Sequence, residues 1–167
     1  MIGSLDPRSL SGDVLLGKNA VRFLFMDEAG TSGDSNEKVR VVVAVIVNAD
    51  TQLMRAEALL KEALSAIPQE FVEGFQFHAG EIMNSPVYRA RWRLTDRKRL
   101  LEDVMSIPRR LGMPVTFGTV WADQPPSGLS EQLNISLEEE HHFFAFNSCV
   151  ANADKWMRER AGADEIG

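Results

Sequence analysis

The run VRVVVAVIV, Val39 to Val47, constrains this chain more than any other stretch. Seven of its nine residues are β-branched, which favours an extended strand whose side chains pack on a pleated surface. Both of its faces are apolar, the pattern of a strand covered on two sides. Its uninterrupted part, Val41 to Val47, is far too short to span a bilayer. A second such segment lies upstream. Val21 to Met26 carries Val21, Phe23 and Phe25 on one face and Leu24 and Met26 on the other, so it too reads as an interior strand. Between the two lies Ala29 to Glu37, with Gly30, Gly33, Asp34, Ser35 and Asn36, all turn formers. Two strands joined by a long polar loop predict an antiparallel pair.

Helical signals follow. Asp50 or Thr51 can cap a helix reaching Ile67, with Leu53, Leu60, Ala63, Leu64 and Ile67 on one stripe and Pro68 at its end. The segment EFVEGFQFHAGEIMNSP has no clean period. Thr95 or Asp96 caps a helix through Ile107, with Leu100, Leu101, Val104 and Met105 inward and Pro108 and Gly112 closing it. MPVTFGTVWA reads as a third strand and DQPPSGLSEQ as a loop. Ser136 and Glu139 stand in capping-box spacing at the start of a helix running to about Arg160. Phe143, Phe146, Val150, Ala153 and Met157 form its expected core stripe. The order β-β-α-β-α predicts an α/β domain of two or three layers. Residues 1–20, rich in Gly, Ser and Asp, read as a flexible N-terminal arm, and 21–167 as a single domain.

Composition excludes several classes. At 44% hydrophobic and 25% charged, the 167-residue chain reads as soluble and globular. The N-terminus has acids at Asp6 and Asp13 and no long apolar core, so it is not a secretory signal, and a cytoplasmic protein is expected. Cys149, the single cysteine, cannot form an intramolecular disulfide and reads as a small buried hydrophobe. A net charge of −6 argues against a general polyanion binder. The charge is segregated, however. Arg89 to Arg110 holds eight basic residues and three acids, a local +5 that leaves −11 elsewhere. One basic stripe on an acidic body suits a local anion-binding surface, with nucleic acid the partner it implies.

Three clusters carry candidate chemistry. In FLFMDEAG, strand alternation puts Asp27 on the face of Phe23 and Phe25 and Glu28 on the opposite one. An acid at the end of an apolar strand needs a hydrogen-bond partner, a cation or solvent. The plainer reading, two solvated loop acids, stays open. In FHAGEI, His78 and Glu81 are three apart and face the same way on a helical turn. Hard ions such as Mg²⁺ favour carboxylate oxygens and retained waters, so Asp27 and Glu81 as ligands with His78 nearby is reasonable chemistry. The alternative is a first-turn Glu81 favoured by the helix dipole and a His78 packed on Phe77. In YRARWRLTDRKR, an extended backbone would put Tyr88, Ala90, Trp92 and Leu94 on one face and Arg89, Arg91 and Arg93 on the other. The aromatics could anchor the segment to the core while the arginines project outward; those guanidinium groups suit phosphate oxygens, and an aromatic such as Trp92 can stack on bases. The plainer alternative is a solvated charged face. A helix from Pro86 would scatter the arginines. His141 and His142, after three glutamates, lack zinc-helix spacing and read as structural or surface residues, with His142 near the core stripe and His141 towards the polar flank.

Taken in order, FLFMDEAGTSGD, VVVAVIV and FQFHAGEI resemble the family known as domain of unknown function 3800, whose members open on a strand followed by Asp-Glu-Ser-Gly and later show a His-x-x-Glu cluster. Asp27, Glu28, Ala29 and Gly30 match the first motif with alanine in place of serine, and His78 and Glu81 match the second. The resemblance covers roughly residues 21 to 165. It implies a ribonuclease-H-like α/β fold, a central mixed sheet flanked by helices, and a divalent-metal-dependent nuclease or phosphodiesterase using Mg²⁺ or Mn²⁺. Two ions about 3.5–4 Å apart would activate a water and stabilise the leaving oxygen. Carried over, Asp27 bridges the metals, Glu81 is a second ligand, and His78 contacts the substrate or supports a ligand. Glu28 is a loop or supporting residue. The family continues into further strands and another acid, whereas this sequence ends at Gly167, just after AGADEIG. Asp164 and Glu165 do not match that acid, so the sheet and ligand set are expected to be incomplete at the C-terminus. The alternative is a non-catalytic relative that binds a protein or nucleic acid. Oligomeric state is left open.

Overall fold

The computed structural model describes residues 21–30, 38–125 and 127–160. The arm 1–20 and the acids Asp164 and Glu165 lie outside them. The fold is mixed α/β and divides into two compact units. One comprises the described residues up to Thr51 and from Met113, and the other is Gln52–Gly112.

The first unit is built on β1 (Arg22–Ala29), β2 (Val39–Asn48) and β3 (Val115–Trp121), in the order β1-β2-β3. Both pairings are antiparallel, with Asp27 opposite Val43 and Val43 opposite Phe117. The expected mixed sheet requires a parallel strand, and the described residues contain none. The Ala49 amide donates to the Val21 carbonyl. Odd-numbered residues of β1 therefore turn their backbone groups to β2, and Leu24, Met26 and Glu28 turn theirs to the outer edge. β1 runs three residues past its expected end because Asp27, Glu28 and Ala29 keep pairing with Val43, Val42 and Val41. Gly30 ends it at φ +82°, where a Cβ would collide with the Val39 carbonyl.

Two more helices complete this unit, α6 (Leu129–Leu133) and α7 (Leu137–Arg160). The capping box predicted for α7 is present. The Glu139 amide donates to Ser136 Oγ at 3.1 Å and the Ser136 amide to Glu139 Oε2 at 2.8 Å. α7 covers one face of the sheet, where Val42, Ala44, Val120, Ala145 and Cys149 form the core with Leu24, Met26 and Phe144 around it. The buried row is His141, Ala145, Cys149 and Ala153, not the predicted phenylalanine stripe, and Phe143 and Phe146 are exposed. The reason is close approach. A Cβ at Gly118 would run into the Ala145 carbonyl and lie 2.6 Å from the Cys149 amide, so α7 sits on the sheet by its small residues. Phenyl rings facing the sheet would hold the helix off. The same rotation buries His141 and leaves His142 half-exposed, reversing their expected places. Among the described residues it also leaves β1 and β3 open on their other face, with β1 an edge strand covered on one side only.

The second unit contains α1 (Leu53–Leu64), α2 (Gln69–Val72), α3 (Ala79–Asn84), α4 (Pro86–Arg91) and α5 (Leu94–Leu111). Its core gathers Ala63, Ile67, Ile82, Trp92 and Leu100, with Phe71, Phe75 and Tyr88 packed on them. Asn48 Oδ1 accepts from the Asp50 and Thr51 amides, making the turn that leads into α1, so neither Asp50 nor Thr51 caps that helix. α5 begins at Leu94 rather than after Thr95 and passes through Pro108. Pro108 cannot donate to the Val104 carbonyl one turn back, yet the helix continues to Leu111, and Gly112, left-handed at φ 64°, ends it. Met105, expected inward, is exposed.

Candidate functional site

The two acids of β1 remain inequivalent because the backbone stays extended through both. Glu28 shares the α7-facing side of the sheet with Leu24 and Met26, and Asp27 shares the open side with Phe23 and Phe25. Asp27 Oδ1 accepts the Glu28 amide at 2.9 Å. Its carboxylate is otherwise open to solvent, which leaves oxygen lone pairs for a hard cation or water.

Glu28 meets a residue that the sequence alone did not connect to it. Its Oε2 lies 3.2 Å from His142 Nδ1, with both side chains about half exposed. A proton on Nδ1 in that contact leaves Nε2 as the free acceptor of the neutral ring. One position along the same sheet face, Arg40 Nη2 lies 2.9 Å from Glu138 Oε1. Glu138 and His142 are four apart on α7, so one helix face meets β1 and β2 through two neighbouring pairs. Arg40 has Nε and Nη1 buried without a partner. A guanidinium with two unsatisfied donors calls for a water or an anionic oxygen at that end of the sheet.

The rest of EEEHH is structural. Glu140, 1% exposed, accepts the Ser127 amide at 2.6 Å and the Ser130 amide at 2.7 Å, which fixes the turn entering α6. The Ser130 and Ser127 hydrogen bonds, opposed by the cost of desolvation, lower its pKa to about 2. His141 Nε2 stands 3.1 Å from the Gln124 carbonyl, which accepts its proton. Five consecutive residues of α7 thus each have partners of their own. No residue-type spacing could have found Glu28 and Arg40 as partners, because the pairs depend on how α7 lies across the sheet.

In the helical unit, His78 is the N-cap of α3. Its Nδ1 accepts the Glu81 amide at 3.2 Å, which places Glu81 in the first turn, and Gly80 leaves room for the ring. Both side chains are exposed, with His78 Nε2 and the Glu81 carboxylate turned to solvent. The helix is anchored from its other end. Arg97, 4% exposed, donates from Nη1 to the Ile82 and Met83 carbonyls at 3.0 and 2.8 Å, and from Nε to the Trp92 carbonyl at 3.1 Å.

The basic segment is helical up to Arg91 and again from Leu94, with Trp92 and Arg93 linking the two helices. Arg89, Arg91 and Arg93 are exposed, and Arg93 pairs with Asp96 at 2.7 Å. That pair raises the Arg93 pKa through the Asp96 hydrogen bond and charge. Trp92 is not a stacking platform. It is 3% exposed, its ring near those of Phe71, Phe75 and Tyr88, so it anchors the segment and leaves ligand contact to the arginines.

Within neither unit do three His, Cys, Asp or Glu side chains of the described residues gather as a metal-ligand set. No helix among those residues is long and apolar enough to cross a membrane. Comparison with protein-family models, with curated proteins and with solved structures gave no match.

Proposed function

We propose that this chain is a divalent-metal-dependent nuclease or phosphodiesterase of ribonuclease-H-like architecture that hydrolyses nucleic-acid phosphodiester bonds. The observation that carries the reading is the pair of consecutive acids on the outer strand of an antiparallel sheet, one open to solvent and the other touching an imidazole. Its support from the sequence is the resemblance to the domain of unknown function 3800 family.

Asp27 in one unit and Glu81 in the other are each assigned as ligands of Mg²⁺ or Mn²⁺. Each has an exposed carboxylate, and Mg²⁺ commonly takes only one or two protein carboxylates while keeping several waters. A bound ion would polarise a phosphoryl oxygen and lower the pKa of a coordinated water. From this chain, Glu28 orients His142, whose Nε2 can take or return a proton. His78 offers Nε2 to the substrate. Arg89, Arg91 and Arg93 bind backbone phosphates without reading sequence.

The test is Mn²⁺ titration of the wild type, Asp27→Asn, Glu81→Gln and the double variant, alongside cleavage of RNA, DNA and hybrid. Weaker binding in a single variant supports a ligand role for the residue it replaces. Equal binding by all four proteins sinks the metal assignment.

A second reading is a non-catalytic module that binds nucleic acid, supported by the exposed arginines. It predicts that Asp27→Asn leaves nucleic-acid affinity unchanged, whereas reversing Arg91 and Arg93 to glutamate weakens it and flattens its salt dependence.

A further inference from the structure

The side of the sheet turned away from α7 carries Phe23 and Phe25 on β1, Val41, Val43 and Val45 on β2, and Val115, Phe117 and Trp121 on β3. The five large residues on the outer strands are between 43% and 60% exposed: Phe23, Phe25, Val115, Phe117 and Trp121. Asp27 is the one ionisable side chain in this set of strand positions, and it stands at the border because β1 is the outermost strand. An aromatic side chain buries about 150–250 Å² when covered, so the patch offers on the order of 600 Å² per copy. That is at or above the largest apolar patch of an ordinary monomer, roughly 300–600 Å².

The register gives the patch its shape. Phe23 and Phe25 raise one end of β1, and Phe117 and Trp121 raise the opposite end of β3, since Phe25 is level with Val115 and Asp27 with Phe117. The high corners are diagonal, as are the low corners at Ala29 and Val115. A twofold axis parallel to β2 places β1 of one copy over β3 of the other at the same level. The Phe23 and Phe25 corner then meets the low Val115 corner, and the Phe117 and Trp121 corner meets the low end of β1. A face whose bulk lies on one diagonal is therefore complementary to itself, which an isologous dimer requires. Two copies would bury roughly 1,200 Å², the lower bound for a specific interface, with the sheets packed face to face about 10 Å apart.

We infer that this face is the contact of a symmetric homodimer, with a second copy of the chain as its occupant. That arrangement sets Asp27 opposite Phe117 of the second copy, so the dimer and an ion at Asp27 compete, and the mass is read without added metal. Sedimentation velocity from about 1 to 200 µM on the wild type, Phe25→Glu and Phe117→Glu tests it, a range in which an interface at the lower size bound is read as a change of mass. The expected result is a wild-type mass that rises to two copies and stops, and variants at least tenfold weaker in association. Both substituted residues are exposed, and matching circular dichroism and thermal melts would show that their folds are intact. A wild type that stays monomeric, leaving the face to another partner, overturns the inference. So does a dimer that both variants preserve, or a mass that keeps growing with concentration.

Discussion

Glu28 Oε2 lies 3.2 Å from His142 Nδ1, while Asp27, one residue earlier, points to the other side of the same sheet. The two acids that look alike in the sequence therefore have different surroundings. Glu28 is held by a helix, and Asp27, among the described residues, only by its neighbour's amide. A ligand for a hydrated cation needs the second kind of freedom, and a group that orients an imidazole needs the first.

Glu28→Gln should change unfolding free energy by no more than about 1 kcal/mol, because a half-exposed pair is screened by solvent. Urea denaturation at neutral pH checks this. If Glu28→Gln also abolishes cleavage while stability stays within that bound, the contact serves chemistry and not folding.

Gly118→Ala should cost about 1–3 kcal/mol, the range for overpacking a tight contact. The new methyl meets backbone of α7 at Ala145 and Cys149, which cannot rotate away. Thr119→Ala, one residue on and exposed, should stay within about 0.5 kcal/mol. Equal effects for the two would show that α7 does not ride directly on β3.

Strand identity was legible in the sequence because β-branched runs and the turn residues between them are local signals. The capping box at Ser136 and Glu139 was legible for the same reason. The facing of α7 was not. Its phenylalanines have the better helical period, but only the bare backbone at Gly118 shows that small residues must point inward. Pro108 misled in a similar way, since α5 continues past it to Leu111 and only Gly112 ends the helix. At the site, the acids and His78 could be singled out by type. The pairs Glu28–His142 and Arg40–Glu138 join residues more than ninety positions apart and depend on tertiary placement. Trp92 was legible both as a core anchor and as a base-stacking residue, and its burial keeps only the first role.

Arg97→Met should destabilise by about 2–4 kcal/mol, because the carbonyls of Ile82, Met83 and Trp92 lose a charged donor while remaining covered. Arg97→Lys should recover little of this. One ammonium cannot span acceptors that the guanidinium reaches from two of its nitrogens. Urea unfolding followed by circular dichroism decides it, and a loss below about 0.5 kcal/mol for Arg97→Met would refute the clamp.

Glu140 supplies a pH signature. Its folded pKa of about 2 lies below the ordinary value of 4.5, owing first to the Ser130 hydrogen bond and then to the Ser127 amide. The folded state therefore favours the carboxylate. Its contribution is fully present above about pH 4.5 and is lost as pH falls towards about 2, where the folded group also takes up its proton. Glu140→Gln removes that contribution at every pH. The stability gap between wild type and variant should be widest at neutral pH and close on acidification. Glu139, also lowered by its Ser136 bonds, titrates in both proteins and cancels from the difference. Urea midpoints of the two proteins at about pH 7, 4 and 3 measure the gap. A gap that does not change with pH would mean that the Glu140 carboxylate is not what holds the turn at Ser127 and Ser130.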